Sequence, residues 1–356
     1  MNKIFATVLL SFCWPLLSVT ASDAKPEFVF RYGQSQASQH PRGQSMIFFE
    51  TELESRSGGR IAVENYFSSV LGTEREMMDM VATGMMQGTR GGLFVDANPK
   101  FSIFMLPFLM ESWEQALRLL TSNFTKKINI ESQSYGFYIP ATGISQGFRA
   151  HTNNVRPIYS PDDLSDLKMR VPQQEVYLKT AQSFGASPHE MPASEIYQAF
   201  KLGVIDGQDN PPANIWDYKL YEVQQYLTIT HYATGPDPFV VSLSWYSQLP
   251  DDLKIIFNQV AHETMRLSDK ISFEGDEFHI EKLSKHMSVN FVIGKDLDLF
   301  RSRIRPVYQY FIDKGHFSWQ DIRRARCVAE VGDNAVCPTS FLDSWSPSSE
   351  TLSEAR

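Results

Sequence analysis

Lys168-Met169-Arg170-Val171-Pro172 is followed by a helical stretch from Glu175 to Phe184 and the small-residue turn Gly185-Ala186-Ser187-Pro188. A second helical stretch from Ala193 to Leu202 then leads into Gly203-Val204-Ile205-Asp206-Gly207-Gln208-Asp209-Asn210-Pro211. The first five residues read as a strand, which a proline closes. A strand succeeded by helices and turns of this size argues for an α/β fold, because parallel strands need a crossover long enough to hold a helix.

The same alternation extends outward in both directions. Phe28-Val29-Phe30-Arg31-Tyr32-Gly33 reads as a first strand, and Met46, Ile47, Phe49 and Leu53 repeat at helical spacing within Ser45 to Ser55. Ser57-Gly58-Gly59 stops that helix ahead of a second strand, Ile61 to Tyr66. A helix from about Thr73 to Thr83, a short strand near Gln87 to Phe94, an amphipathic helix from Trp113 to Leu120 and a strand over Gly136 to Gly143 continue the pattern. The expected sheets are mixed and mostly parallel, with helices on both faces. From Pro250 to about His286 a single helical pattern carries Leu253, Ile256, Phe257, Val260 and Met265. That is severalfold longer than an average helix, long enough to bridge two lobes.

At 356 residues the chain exceeds what one core normally serves, so two domains are expected. Hydrophobic residues at 42% and charged residues at 21% exclude wholesale disorder, and a net charge of -8 offers no basic field for nucleic acid. Residues 1–21 read as a secretory signal: one early positive charge, a short apolar run from Ile4 to Leu17, then Val19-Thr20-Ala21. No later segment approaches the roughly 20 apolar residues of a membrane helix. Cys13 leaves with the signal, and Cys327 and Cys337 are expected to close a local disulfide, which stabilises by about 3 kcal/mol in the chain-entropy picture. The Ser- and Glu-rich end from Ser344 to Arg356 reads as a loose tail.

Gly143-Ile144-Ser145-Gln146-Gly147 fits the pattern of a nucleophile elbow, which would make Ser145 the nucleophile of a periplasmic esterase. The elbow needs a helix directly after it, whereas Phe148-Arg149-Ala150-His151-Thr152 reads as strand or loop. The eight histidines form no zinc-binding spacing, so neither a metal nor another cofactor is expected.

The succession Gly147-Phe148-Arg149, Arg156 to Pro172, Gly185-Ala186-Ser187-Pro188, Ser194 to Phe200 and Gly203 to Pro211 resembles the periplasmic solute-binding subunits of tripartite ATP-independent (TRAP) transporters, in the broad dicarboxylate-binding family. Leu71-Gly72-Thr73-Glu74-Arg75-Glu76-Met77, Leu106-Pro107-Phe108 and Tyr221 to Leu227 are similar to further markers of that family, so the likeness covers nearly the whole exported chain. It implies a two-lobed periplasmic binding protein with hinge strands and a bridging helix. Lobe I would comprise residues 25–146 and 235–275, lobe II residues 147–234 and 276–330, with 331–356 as the tail. It also implies a monomeric, non-enzymatic protein of the periplasm that captures a small organic acid, a carboxylate such as a sugar acid or dicarboxylate, and delivers it to TRAP membrane subunits. A binding protein that feeds a sensor kinase is the alternative within the same fold.

By this resemblance Arg170 grips the solute carboxylate, for which a guanidinium offers a rigid fork of donors. Arg149 is a second basic position of the same cleft, or else a structural partner of the Asp162-Asp163 turn. Asn210 matches a cleft asparagine able to donate and accept, with plain turn chemistry before Pro211 as the alternative. Glu74 matches an acidic position at a helix start, where the helix dipole alone also favours glutamate. Arg90 and Phe239 are further candidate solute contacts, the latter as an aromatic cover. Ala193 stands where many relatives carry a bulkier side chain, which leaves room in the pocket.

Overall fold

The structure is a computed structural model that describes residues 25–90, 93–144 and 147–333. The expected signal segment, Ser145, Cys337 and the tail lie outside the described residues. Following the chain, β1 (Phe28–Gly33), β2 (Ile61–Tyr66) and β3 (Gly88–Thr89) alternate with the helices Pro41–Arg56 and Glu74–Thr83. After the helices Trp113–Leu120 and Asn123–Glu131 come β4 (Phe137–Tyr138) and β5 (Thr142–Gly143). Then follow β6 (Phe148–Asn153), β7 (Lys168–Val171), β8 (Ser187–Glu190) and β9 (Gly207–Asn210). β10 (Tyr226–Thr234) and β11 (Asp237–Pro238) lead to β12 (Val240–Ser242), and β13 (Ser288–Phe291) follows the 34-residue helix Asp251–Ser284.

Eleven of these strands build two sheets, ordered β2-β1-β3-β12-β4 and β13-β10-β6-β9-β7-β8, each the centre of one lobe, and β5 and β11 pair with each other. Both sheets are mixed. Within the first, β1 pairs parallel with β2 and β3, and β12 runs antiparallel to β3 and β4. In the second, β7 pairs parallel with β8 and β9, while β6 is antiparallel to β9 and β10. The antiparallel pairs involve the strands next to a crossing between the lobes, where the chain enters a sheet without a helical crossover of its own.

Two expected strands are shorter than the sequence suggests. The stretch Gly136 to Gly143 divides into β4 and β5 around Pro140, which has no N–H to donate to a ladder. The strand expected near Gln87 to Phe94 is only β3, and Phe94–Ala97 is a short helix.

The hinge has three parts. β5 and β6 leave the first lobe as β10 and β11 return, with β5 pairing β11 and β6 pairing β10, both antiparallel. Between β5 and β6 lies Gly147, whose φ of +95° suits glycine, and where a Cβ would meet Trp113 and Asp276 at 3.0 Å. The third part is the helix Asp251–Ser284, about 50 Å long, which packs on Pro41–Arg56 in one lobe and Pro212–Asp217 in the other.

Three apolar clusters fill the interior. One lies against the first sheet and holds Phe30, Tyr32, Phe49, Trp245 and Phe257. Phe239 belongs to it: fully buried, with its ring centroid 5.0 Å from Phe49, it is a core residue and not the expected cover of a solute. A second cluster joins Ala150, Ile196, Ile215, Leu227 and Leu283 under the second sheet. The largest packs the helix Trp113–Leu120 and its neighbours against Trp319–Val331, reaching from Phe104 and Phe108 to Phe300 and Tyr308. It therefore spans the boundaries expected between residues 25–146 and 276–330. The Leu106-Pro107-Phe108 marker lies here: Phe108 has φ +58°, fixed by its N–H donating to the Tyr232 carbonyl at 2.7 Å and by Arg326 donating to its own carbonyl at 2.8 Å. Cys327 is buried in Trp319–Val331 and disulfide-bonded.

Arg90 is also structural where a solute contact was expected. It is fully buried, ion-paired to Asp237 of β11, and donates to Ser45 Oγ at 2.7 Å and Ser268 Oγ at 2.8 Å. Arg42 reaches the other oxygen of Asp237 at 3.0 Å. One carboxylate thus holds two buried guanidinium groups, from the helix Pro41–Arg56 and the β3 edge, and Arg90 reaches on to the long helix through Ser268. Asp237→Asn leaves both arginines short of a counter-charge, so unfolding in urea should show a loss of about 3–5 kcal/mol. A loss below about 1 kcal/mol, the level of a surface pair, would contradict this role.

Candidate functional site

Side chains from both lobes meet in a cleft lined by Gln36, Arg42 and Glu74 on one side and by Arg149, Arg170, Tyr177, Asn210, Asn214 and Tyr218 on the other. The cavity they enclose measures about 60 Å³, space for a few small groups, so the lobes stand nearly shut.

Arg170 is the third residue of β7, paired in register with Gln208 of β9 and His189 of β8. Only 2% of it is exposed. Its Nε and Nη2 both donate to the Met191 carbonyl, at 2.9 and 2.7 Å. No carboxylate among the described residues forms an ion pair with it. Burial lowers its pKa to about 10, which still leaves the group charged at neutral pH. A buried guanidinium whose one acceptor is a neutral carbonyl is an incomplete arrangement, since buried charges are ordinarily paired. Ala193 lines the cleft two residues beyond Met191, and its small side chain leaves the approach to Arg170 open.

Arg149, on β6, lines the same cleft but is already paired. Its Nε donates to Asp209 Oδ2 and its Nη2 to the Asp209 carbonyl, and Tyr232 also donates its hydroxyl to Asp209 Oδ2. Burial pushes the Asp209 carboxyl up, but Arg149 beside it outweighs that and holds it below the usual carboxylate range. The guanidinium carbon of Arg149 stands 4.3 Å from the centre of the Tyr177 ring. Asp209, on the adjacent strand, takes the place expected of the Asp162-Asp163 turn. Asp162 pairs with Arg303 instead, and Asp163 caps its own turn at Ser160.

Asn210 sits in a chain of amides. It donates to Gln208 Oε1 at 2.5 Å and accepts from Asn214 Nδ2 at 3.1 Å. Asn214 in turn accepts from His40 across the cleft at 3.0 Å. The backbone N–H of Arg42 donates to His40 Nδ1 at 3.2 Å, so Nδ1 is unprotonated and the proton is on Nε2, facing Asn214. Burial first, then the neighbouring Arg42 charge, lowers the His40 pKa to about 3. Glu74 begins the helix Glu74–Thr83, but the capping box there is made by Thr73 and Glu76. Glu74 is thereby free to face the cleft, where it accepts from Ser35 Oγ at 3.1 Å.

The loop after β1 also touches the opposite lobe at residues that the sequence did not single out. Gln36 Nε2 donates to the Tyr218 hydroxyl at 3.1 Å, and the Ala37 N–H donates to Asp217 Oδ2 at 3.1 Å. With His40 and Asn214 these contacts form a latch between the two lobes. Arg90 and Phe239 do not line the cleft. Ser145 is outside the described residues, and Gly147 leads straight into β6, where an elbow would need a helix. Among the described residues no three His, Cys, Asp or Glu side chains gather as metal ligands, and no helix is long and apolar enough to cross a membrane.

Comparison with known proteins agrees with this geometry. Residues 32–314 match the DctP family, bacterial extracellular solute-binding protein, family 7. The chain is 31% identical over 265 residues to the sialic acid-binding periplasmic protein SiaP of Vibrio cholerae, covering 73% of this chain and 80% of that one. It is 28% identical over 270 residues to the C4-dicarboxylate-binding periplasmic protein DctP of Rhodobacter capsulatus, with 73% and 78% covered. The crystal structure of the sugar acid binding protein DctPAm from Advenella mimigardefordensis with galactonate superposes with a TM-score of 0.82 at 27% identity, covering 87% of this chain and all of that one. The two-lobed fold, the cleft between its sheets and these matches together establish that the chain belongs to the DctP family of solute-binding proteins, the binding components of TRAP transporters.

Proposed function

We propose that this protein captures a small organic acid in the periplasm, fixes one carboxylate on Arg170 and hands the solute to the membrane subunits of a TRAP transporter. The observation that carries this reading is the buried Arg170 guanidinium, which lacks a protein counter-charge and faces a cleft between two lobes. A solute carboxylate supplies the missing charge with the bidentate geometry that suits the fork. Binding is the role the site supports.

The charges in the cleft favour one carboxylate over two. Arg149 is matched by Asp209, Arg42 shares Asp237 with Arg90, and Glu74 brings a negative charge to the opposite wall. The remaining polar groups, Gln36, Asn210 and Asn214, suit hydroxyls. A hydroxylated monocarboxylate of the sugar-acid type therefore fits better than an unsubstituted dicarboxylate, in keeping with the galactonate bound by the DctPAm relative.

The latch explains how capture becomes closure. The two sheets, each with the elements packed on it, are taken as the two moving bodies, and solute contacts made only when they are shut shift the balance toward the closed form.

Two measurements check this reading. In calorimetric titration the protein should bind galactonate more tightly than succinate, and Arg170→Ala should weaken galactonate by about 2–5 kcal/mol. Unchanged galactonate affinity in the variant would overturn the assignment. The second is pH. The His40 pKa is depressed in the latched form, so the latched form is favoured above the ordinary histidine value near 6.5 and is lost progressively as pH falls from there toward about 3. A sugar acid stays ionised in this range, so galactonate affinity should fall by up to about tenfold between about pH 7.5 and 5.5. Equal affinities at the two pH values would show that His40 does not change its environment on closure.

A further inference from the structure

A second and larger cavity, about 730 Å³, lies away from the cleft, between the helix Trp113–Leu120 and the long helix Asp251–Ser284. Its apolar wall includes Trp113, Leu117, Ile144, Met265 and Phe273. Leu117 and Phe273 are large hydrophobic side chains left 45% and 59% exposed, and the Trp113 and Phe273 rings stand edge to face at 5.6 Å. Apolar groups of that size left open to water in a concave wall mark a binding surface more often than a plain exterior.

One rim of this cavity is basic. His262 and Arg266 are one turn apart on the long helix, and Lys126 faces them from Asn123–Glu131. The His262 pKa is lowered by burial and then by the charges of Arg266 and Lys126, which places all three groups together. Neither Lys126 nor Arg266 has an ion pair or a side-chain hydrogen bond among the described residues. Of the two acids that line the cavity, Glu114 pairs with Arg118 at 2.5 Å, and Asp269 accepts from the Ile144 N–H of the same wall at 2.8 Å. An apolar pocket bordered by two cations that form no ion pair among the described residues is complementary to a molecule with an apolar body and one anionic end.

We propose that this cavity is a binding site for an amphipathic carboxylate, its hydrocarbon body against Trp113, Leu117 and Phe273 and its carboxylate between Lys126 and Arg266. The site is independent of the cleft and shares no residue with it. It adjoins two of the three hinge parts, since Pro140, Thr142 and Ile144 come from the β5 region and His262 to Phe273 from the long helix.

Decanoate is the probe, titrated into the full exported protein and followed by calorimetry and by the fluorescence of tryptophan. Saturable binding of one decanoate is expected, retained in Arg170→Ala and weakened about tenfold or more by the double charge reversal Lys126→Glu with Arg266→Glu. That double variant should still bind galactonate like the parent protein, which shows that it is folded and that the cleft reading stands or falls separately. Three results would overturn the proposal: no saturable decanoate binding, binding lost in Arg170→Ala but kept in the double variant, or a dimer in sedimentation that Phe273→Ser disperses. The last would assign the face to a second copy of the chain.

Discussion

A guanidinium taken out of water without a carboxylate beside it is the constraint around which this molecule is arranged. Arg170 is held by β7 and by the Met191 carbonyl, which orient the fork without neutralising it. The protein could have matched this charge as it matches Arg149 with Asp209, or Arg42 and Arg90 with Asp237. Instead Glu74, whose charge acts on Arg170 across the cleft, belongs to the other lobe and makes no ion pair with it. The fold carries an electrostatic cost in the cleft that an anionic solute relieves.

The rest of the architecture serves to bring two walls to that charge and part them again. The antiparallel ribbon of β5–β6 with β10–β11 and the long helix tie the lobes along one side. Beside the long helix, which packs on both Pro41–Arg56 and Pro212–Asp217, the loop after β1 meets Asn214, Asp217 and Tyr218 through a handful of hydrogen bonds. Few and polar contacts of this kind open at less cost than the apolar clusters behind the hinge. The paired arginines belong to the rigid part: Asp237 and Asp209 fix the ends of the ribbon, so the hinge bends about a defended frame.

Much of this was legible in the sequence, and the failures have a common cause. Strand-helix alternation gave both sheets, and the long apolar periodicity after Pro250 gave the bridging helix to within a few residues. Arg170, Arg149, Asn210 and Glu74 lie in the cleft as the order of motifs implied. Arg90 and Phe239 do not, because their surroundings are made by distant residues. Arg90 finds Asp237 at a separation of 147 positions, and Phe239 finds Phe30 and Phe49 from another part of the chain. A charged residue near a cleft reads the same in sequence whether its partner is a solute or a buried carboxylate. The latch was missed for a similar reason, since Gln36 and His40 look like ordinary loop residues until Tyr218 and Asn214 are brought opposite them.

A crystal structure of the protein with a bound sugar acid tests the central claim most directly. The account predicts the solute carboxylate against the Arg170 guanidinium in two parallel hydrogen bonds of about 2.8 Å, with the latch between His40 and Asn214 closed over it. A bound acid whose carboxylate lies elsewhere, with Arg170 still held by Met191 alone, would contradict it.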